Sequence, residues 1–152
     1  MVGQGETLIF LHYASAVENA QRVLKVLVYS DDQTVRNSVR QALGRKPAEY
    51  ISDVDIFEAA TEPAVIKAID SKAFDLLILD GEAVPAGGMG VARQLQDEVF
   101  NCPPILVIVG RAADQWLATW SGANAVISHP IDPRALVKAA VDLLESRSSV
   151  SK

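Results

Sequence analysis

The residues with scope for chemistry fall at a few short points, each closing an apolar run: Ser30-Asp31-Asp32, Asp80, Val109-Gly110 and Ser128-His129-Pro130. What they exclude is clearer than what they offer. Ser30-Asp31-Asp32-Gln33-Thr34 is acidic where a loop cradling a phosphate needs neutral donors. Gly87-Gly88-Met89-Gly90 lacks the Lys-Ser/Thr of a P-loop and the full dinucleotide pattern, so it reads as a turn into a helix. Cys102 is the one cysteine, which rules out an intrachain disulfide or a cysteine-built zinc site. It precedes Pro103-Pro104 with no basic neighbour in sequence, and reads as an ordinary free thiol. His12 and His129 lie far apart in sequence and make no metal-ligand spacing, and there is no G-x-S-x-G elbow.

The elements that must position these points alternate. Val23 to Tyr29 is a β-branched run that predicts a strand, and Val35, Val39 and Leu43 then recur at helical spacing up to Gly44. A polar loop over 45–53 leads to a second strand at 54–59 and a short helix at 63–69, with Pro63 suited to a first turn. Residues 74–79 are apolar apart from Asp75 and predict a central third strand. A helix through Leu95 and Val99 follows, then a continuous apolar strand at 104–109 and a short helix carrying Trp116 and Trp120. A fifth strand at 125–127 and a last helix at 133–145 complete the series. Five strand–helix alternations predict an α/β doubly wound, five-stranded parallel sheet, whose ligand chemistry collects at the carboxyl ends of the strands. Residues 1–22 lie outside the repeat as an N-terminal extension, 23–146 form one domain, and 147–152 make a polar tail.

The strand ends carry a resemblance. Lys25 to Asp32, Phe74 to Asp80 and Gly122 to Pro130 resemble, in order and spacing, the receiver domain of two-component response regulators. The resemblance implies flavodoxin-like topology with strand order 2-1-3-4-5 and makes Asp80 the phosphoacceptor, or the relic of one. It assigns an acidic pair that helps bind Mg2+ to Ser30 and Asp31, so that only Asp31 is kept. Asp32 falls one place on, as a helix-start residue. Glu82 takes the position whose backbone carbonyl faces the metal, giving Asp31, Asp80 and Glu82 as the implied ligands of a weak Mg2+ site.

Further departures follow from the same alignment. The hydroxyl residue that hydrogen-bonds the phosphoryl oxygen falls on Val109, the lysine before the proline falls on His129, and the aromatic switch residue falls on Val126. Phosphoryl transfer depends on positioned charge and donors around the equatorial oxygens. Val109 offers no donor, and a neutral imidazole offers one N–H without the full charge of lysine. These losses point to weak or no phosphorylation at Asp80.

Trp116 and Trp120, four apart, share one face of their helix. Two readings follow. If Leu117 and Ala118 point inward, the indoles lie at the surface and suit a partner contact; if the helix is rotated, they fill the core. The chain is acidic, with a formal net charge of −5, and shows no Lys/Arg run, which argues against nucleic acid. Leu8-Ile9-Phe10-Leu11 is too short to span a bilayer and lacks a basic leader region, so a cytoplasmic location is expected. The function expected is that of a stand-alone receiver, not an enzyme, which acts by contact with a protein partner, a histidine kinase among the candidates. The competing reading is a small cofactor- or phosphate-binding flavodoxin-like enzyme.

Overall fold

A computed structural model describes residues 22–150 of the chain, with side chains through residue 146. Its elements are β1 (Leu24–Tyr29), α1 (Gln33–Leu43), β2 (Val54–Ala59), α2 (Glu62–Ser71), β3 (Leu76–Asp80), α3 (Gly88–Glu98), β4 (Ile105–Val109), a single 3₁₀ turn (Ala112–Asp114), α4 (Gln115–Trp120), β5 (Ala125–Ser128) and α5 (Pro133–Val150). The five strands form one sheet in the order β2-β1-β3-β4-β5, and every neighbouring pair is parallel. The expected topology is therefore the observed one.

The burial of the strands explains their composition. Every residue of β3 and β4 is buried, because helices cover both faces; this is why Leu-Leu-Ile-Leu and Ile-Leu-Val-Ile-Val read as continuous apolar runs. Alternate residues feed two cores. Val26, Val28, Leu76, Ile78, Leu106 and Ile108 pack with Val39, Leu43, Leu136, Ala140 and Leu144 of α1 and α5. Leu27, Tyr29, Leu77, Leu79, Val107 and Val109 pack with Val65, Val91, Leu95 and Ala118 of α2, α3 and α4.

Two boundaries differ from expectation for local reasons. Asp75 stands outside β3: its buried carboxylate accepts the Lys25 N–H at 2.8 Å and pairs with the Arg22 guanidinium at 2.9 Å. The last helix does not stop at Glu145 but continues to Val150, as the segment Ser146-Arg147-Ser148-Ser149-Val150 contains neither glycine nor proline to end it. Of the terminal segments assigned from sequence, residues 1–21 and 151–152 lie outside the described residues.

Register decides what meets at the carboxyl edge. Tyr29 pairs with Leu79, Asp80 with Ile108 and Val109 with Ser128, so the residues that follow β1, β4 and β5 emerge around Asp80.

Candidate functional site

Asp80 is the last residue of β3 and only 3% exposed. Its Oδ2 accepts the Ser30 hydroxyl at 2.7 Å. Its Oδ1 accepts the Glu82 backbone N–H at 3.0 Å and lies 3.3 Å from His129 Nε2. That contact is a hydrogen bond to the carboxylate in the form of His129 that carries a proton on Nε2. Ser30 is fully buried, and its oxygen accepts the Asp32 N–H at 3.0 Å while it donates to Asp80. Ser30, Asp80 and His129, drawn from three strand ends, thus form one hydrogen-bonded group with both carboxylate oxygens engaged.

The other expected site residues stand around this group. Asp31 is exposed at the same edge, and its Oδ1 accepts the Val84 N–H at 3.1 Å. The Glu82 carboxyl lies over Gly110, where an added Cβ would collide with it. Asp32 is the N-cap of α1, its side chain accepting the Thr34 N–H at 2.8 Å, which is the helix-start role read from sequence. Val109 is fully buried, and its carbonyl accepts the His129 N–H at 2.8 Å. Val126 is partly buried against the same core. Among the described residues, no group of three or more His, Cys, Asp or Glu side chains is placed to hold a metal ion.

Trp116 and Trp120 are away from this group on α4, 69% and 65% exposed, while Ala118 is fully buried and Leu117 half-buried. The two indoles therefore lie at the surface and do not fill the core. The Arg93 guanidinium of α3 sits 5.5 Å from the centre of the Trp120 ring.

Three supporting features carried little sequence signal. The Tyr29 hydroxyl, at the end of β1, donates to the Ala86 carbonyl and ties down the loop after β3. Burial raises its pKa above the ordinary 10.0, with Glu62, Asp31 and Asp80 adding to the rise. Arg36 donates to the Ser30 carbonyl at 2.7 Å and pairs with Glu58 at 3.1 Å, fixing the chain just before Asp31. Gly88 lets the start of α3 seat on β3, since a Cβ there would lie 2.6 Å from the Asp80 carbonyl oxygen. An aromatic inside a β-branched run, an arginine one turn into a helix and one glycine of a glycine-rich turn all have commoner explanations.

No family model matches the chain. Two Mycobacterium tuberculosis proteins, from strains CDC 1551 and H37Rv and each named an uncharacterized response regulatory protein, are 47% identical to it over 128 residues, covering 84% of this chain and 96% of theirs. Among solved structures, the receiver domain of the Francisella response regulator 1452 superposes with a TM-score of 0.69 at 16% identity, over 81% of this chain and 98% of that one. A CheY-like receiver domain protein from Methanospirillum hungatei JF-1 gives 0.68 at 21%, over 84% and 98%. The receiver domain of a LuxO-type repressor from Vibrio parahaemolyticus gives 0.71 at 19%, over 86% and 96%. The structural likenesses speak for the fold, and the Mycobacterium relatives for the family.

Proposed function

The chain belongs to the response-regulator receiver family of two-component signalling, and from that premise we propose that it acts as a stand-alone receiver whose output is protein contact, with weak or no phosphorylation at Asp80. The observation that carries the reading is the state of the Asp80 carboxylate. To attack a phosphodonor, one carboxylate oxygen must be free to approach phosphorus in line, and the transferred group needs donors and positive charge around it. Here Oδ2 is taken by Ser30 and Oδ1 by Glu82 and His129. The neighbouring strand end offers the aliphatic Val109, and the imidazole of His129, which the resemblance aligns with the lysine of receivers, is the basic group beside Asp80.

Protein contact is assigned to the exposed face of α4. Two indoles one turn apart, joined to α3 through Arg93, give a preformed aromatic surface of the kind that concentrates binding energy. A histidine kinase or another protein of the same signalling system fits such a surface. No helix among the described residues is long and apolar enough to cross a membrane.

The test is incubation of the purified protein with a small-molecule phosphodonor and Mg2+, followed by intact mass measurement. The expected spectrum is unmodified protein. A stoichiometric phosphate adduct that disappears in Asp80→Asn overturns the proposal.

A further inference from the structure

We infer that the Ser30 hydroxyl, together with His129, closes the Asp80 site to a divalent cation, so that this receiver is built without the Mg2+ that its family implies. The inference deepens the functional reading above and rests on the donor set. Mg2+ demands near-octahedral oxygen ligands and gives up its waters reluctantly, so it settles where carboxylates present free lone pairs in a hydrated pocket. Asp80 presents little of that: it is 3% exposed, Oδ1 accepts the Glu82 amide N–H and lies 3.3 Å from His129 Nε2, and Oδ2 accepts the Ser30 hydroxyl.

The remaining expected ligands do not compensate. Asp31, at the exposed rim, accepts the Val84 N–H on Oδ1, and the position of Glu82 is expected to offer only a neutral backbone carbonyl. Ser30 is the residue on which the arrangement turns. Its oxygen is a neutral ligand in place of a carboxylate, and its hydroxyl hydrogen stabilises the buried Asp80 carboxylate that a cation would otherwise stabilise. A second carboxylate at position 30 reverses this. Two buried carboxylates in contact repel, and a cation between them relieves the repulsion.

The experiment compares the full-length chain with Ser30→Asp by thermal melting and by amide NMR shifts as MgCl2 is raised, without any phosphodonor. Omitting the donor separates this inference from the phosphorylation question, which the mass measurement decides. The native chain is expected to show no change in melting temperature and no saturable shift at the amides of Ser30, Asp31, Asp32 and Glu82 up to about 10 mM. Ser30→Asp is expected to melt several degrees lower without cation and to recover by about 3 °C or more at that concentration, with saturable shifts at the same amides. A saturable response of the native chain that is lost in Asp31→Asn overturns the inference. So does a folded Ser30→Asp that ignores Mg2+, or one that cannot be recovered folded even with Mg2+ present, because a cation-ready pair of carboxylates should be stabilised by it.

Discussion

The hydrogen bond from Ser30 to Asp80 makes a quantitative claim that a double-mutant cycle can test. Both residues are buried and their oxygens are 2.7 Å apart. Ser30→Ala deletes the donor and leaves Oδ2 without its partner, a loss expected to cost about 2–3 kcal/mol because the acceptor is charged. Asp80→Asn meets a different difficulty. If the new amide nitrogen faces Ser30, the serine hydroxyl, which already accepts the Asp32 N–H, is left with no acceptor for its own proton. If the amide is flipped, its N–H groups oppose the Glu82 N–H. Either way one buried donor is stranded, at about 2 kcal/mol. In the double variant the stranded hydroxyl is gone, so the total should fall short of the sum by at least about 1 kcal/mol. Urea unfolding of the four proteins, read as midpoint shifts at constant slope, gives the cycle. Costs that add to within about 0.5 kcal/mol would refute the reasoning, since they would mean that the hydroxyl and the carboxylate do not depend on each other.

Other expectations follow from single contacts. Trp116→Ala should change folding stability by less than about 0.5 kcal/mol, and Trp120→Ala by about 0.5–1 kcal/mol through its lost stacking with Arg93, while a partner pull-down should weaken by about 2 kcal/mol or more for a true anchor; losses of several kcal/mol in melting experiments would make the rings structural. Tyr29 has a folded pKa above its ordinary 10.0, so the unfolded chain gives up this proton first, and the associated stability is fully present below pH 10 and is lost as pH climbs toward the folded value. Tyr29→Phe should therefore lose about 1 kcal/mol at neutral pH with the hydrogen bond to Ala86, yet lose less than the native chain between neutral and strongly alkaline pH in the same unfolding assay. Gly88→Ala drives a methyl group against the Asp80 carbonyl oxygen and should cost about 2–3 kcal/mol; a neutral effect would mean that α3 can shift along β3 without penalty.

The fold was legible because its signals are redundant. Strands buried on both faces must be apolar along their whole length, and β3 and β4 announce themselves that way. Helices such as α1 repeat the signal as spacing, with Val39 and Leu43 buried as that spacing requires. The strand-end residues were legible for the same reason, since a parallel sheet forces the ends of β1, β3, β4 and β5 to one edge. Their mutual geometry was not. Nothing in the order of residues states that Ser30 turns its hydroxyl onto Asp80 while Asp31 turns to the Val84 amide, because that choice depends on where Arg36 holds the Ser30 carbonyl and where Tyr29 holds the following loop. Asp75 shows the same limit: the apolar run 74–79 reads as one strand with a charge inside it, whereas the Asp75 carboxylate stands in front of β3 and organises the entrance of β1.

A signalling domain can deliver its output in two ways, and the interior between Asp80 and α4 bears on which one operates. A switch needs an element with two discrete arrangements that the input biases. In this chain the fully buried Val109 and Ala118, with the partly buried Val126, belong to one hydrophobic core and are themselves aliphatic; that core reaches from the carboxyl edge to the inward face of α4. None of these side chains can form or break a hydrogen bond, and β-branched valines in a packed core hold one χ1 rotamer. A change at Asp80 would have to move packed methyl groups, at a cost no new polar contact offsets. The arrangement is consistent with a surface held ready on α4, so that control of this receiver would come from the abundance and competition of its partners. The critical comparison is partner affinity of the native chain against Asp80→Asn and Ser30→Ala: affinities equal within about twofold, beside unfolding costs of about 2 kcal/mol, would fit a surface uncoupled from the site, and a tenfold change in affinity would show that the hydrophobic core transmits after all.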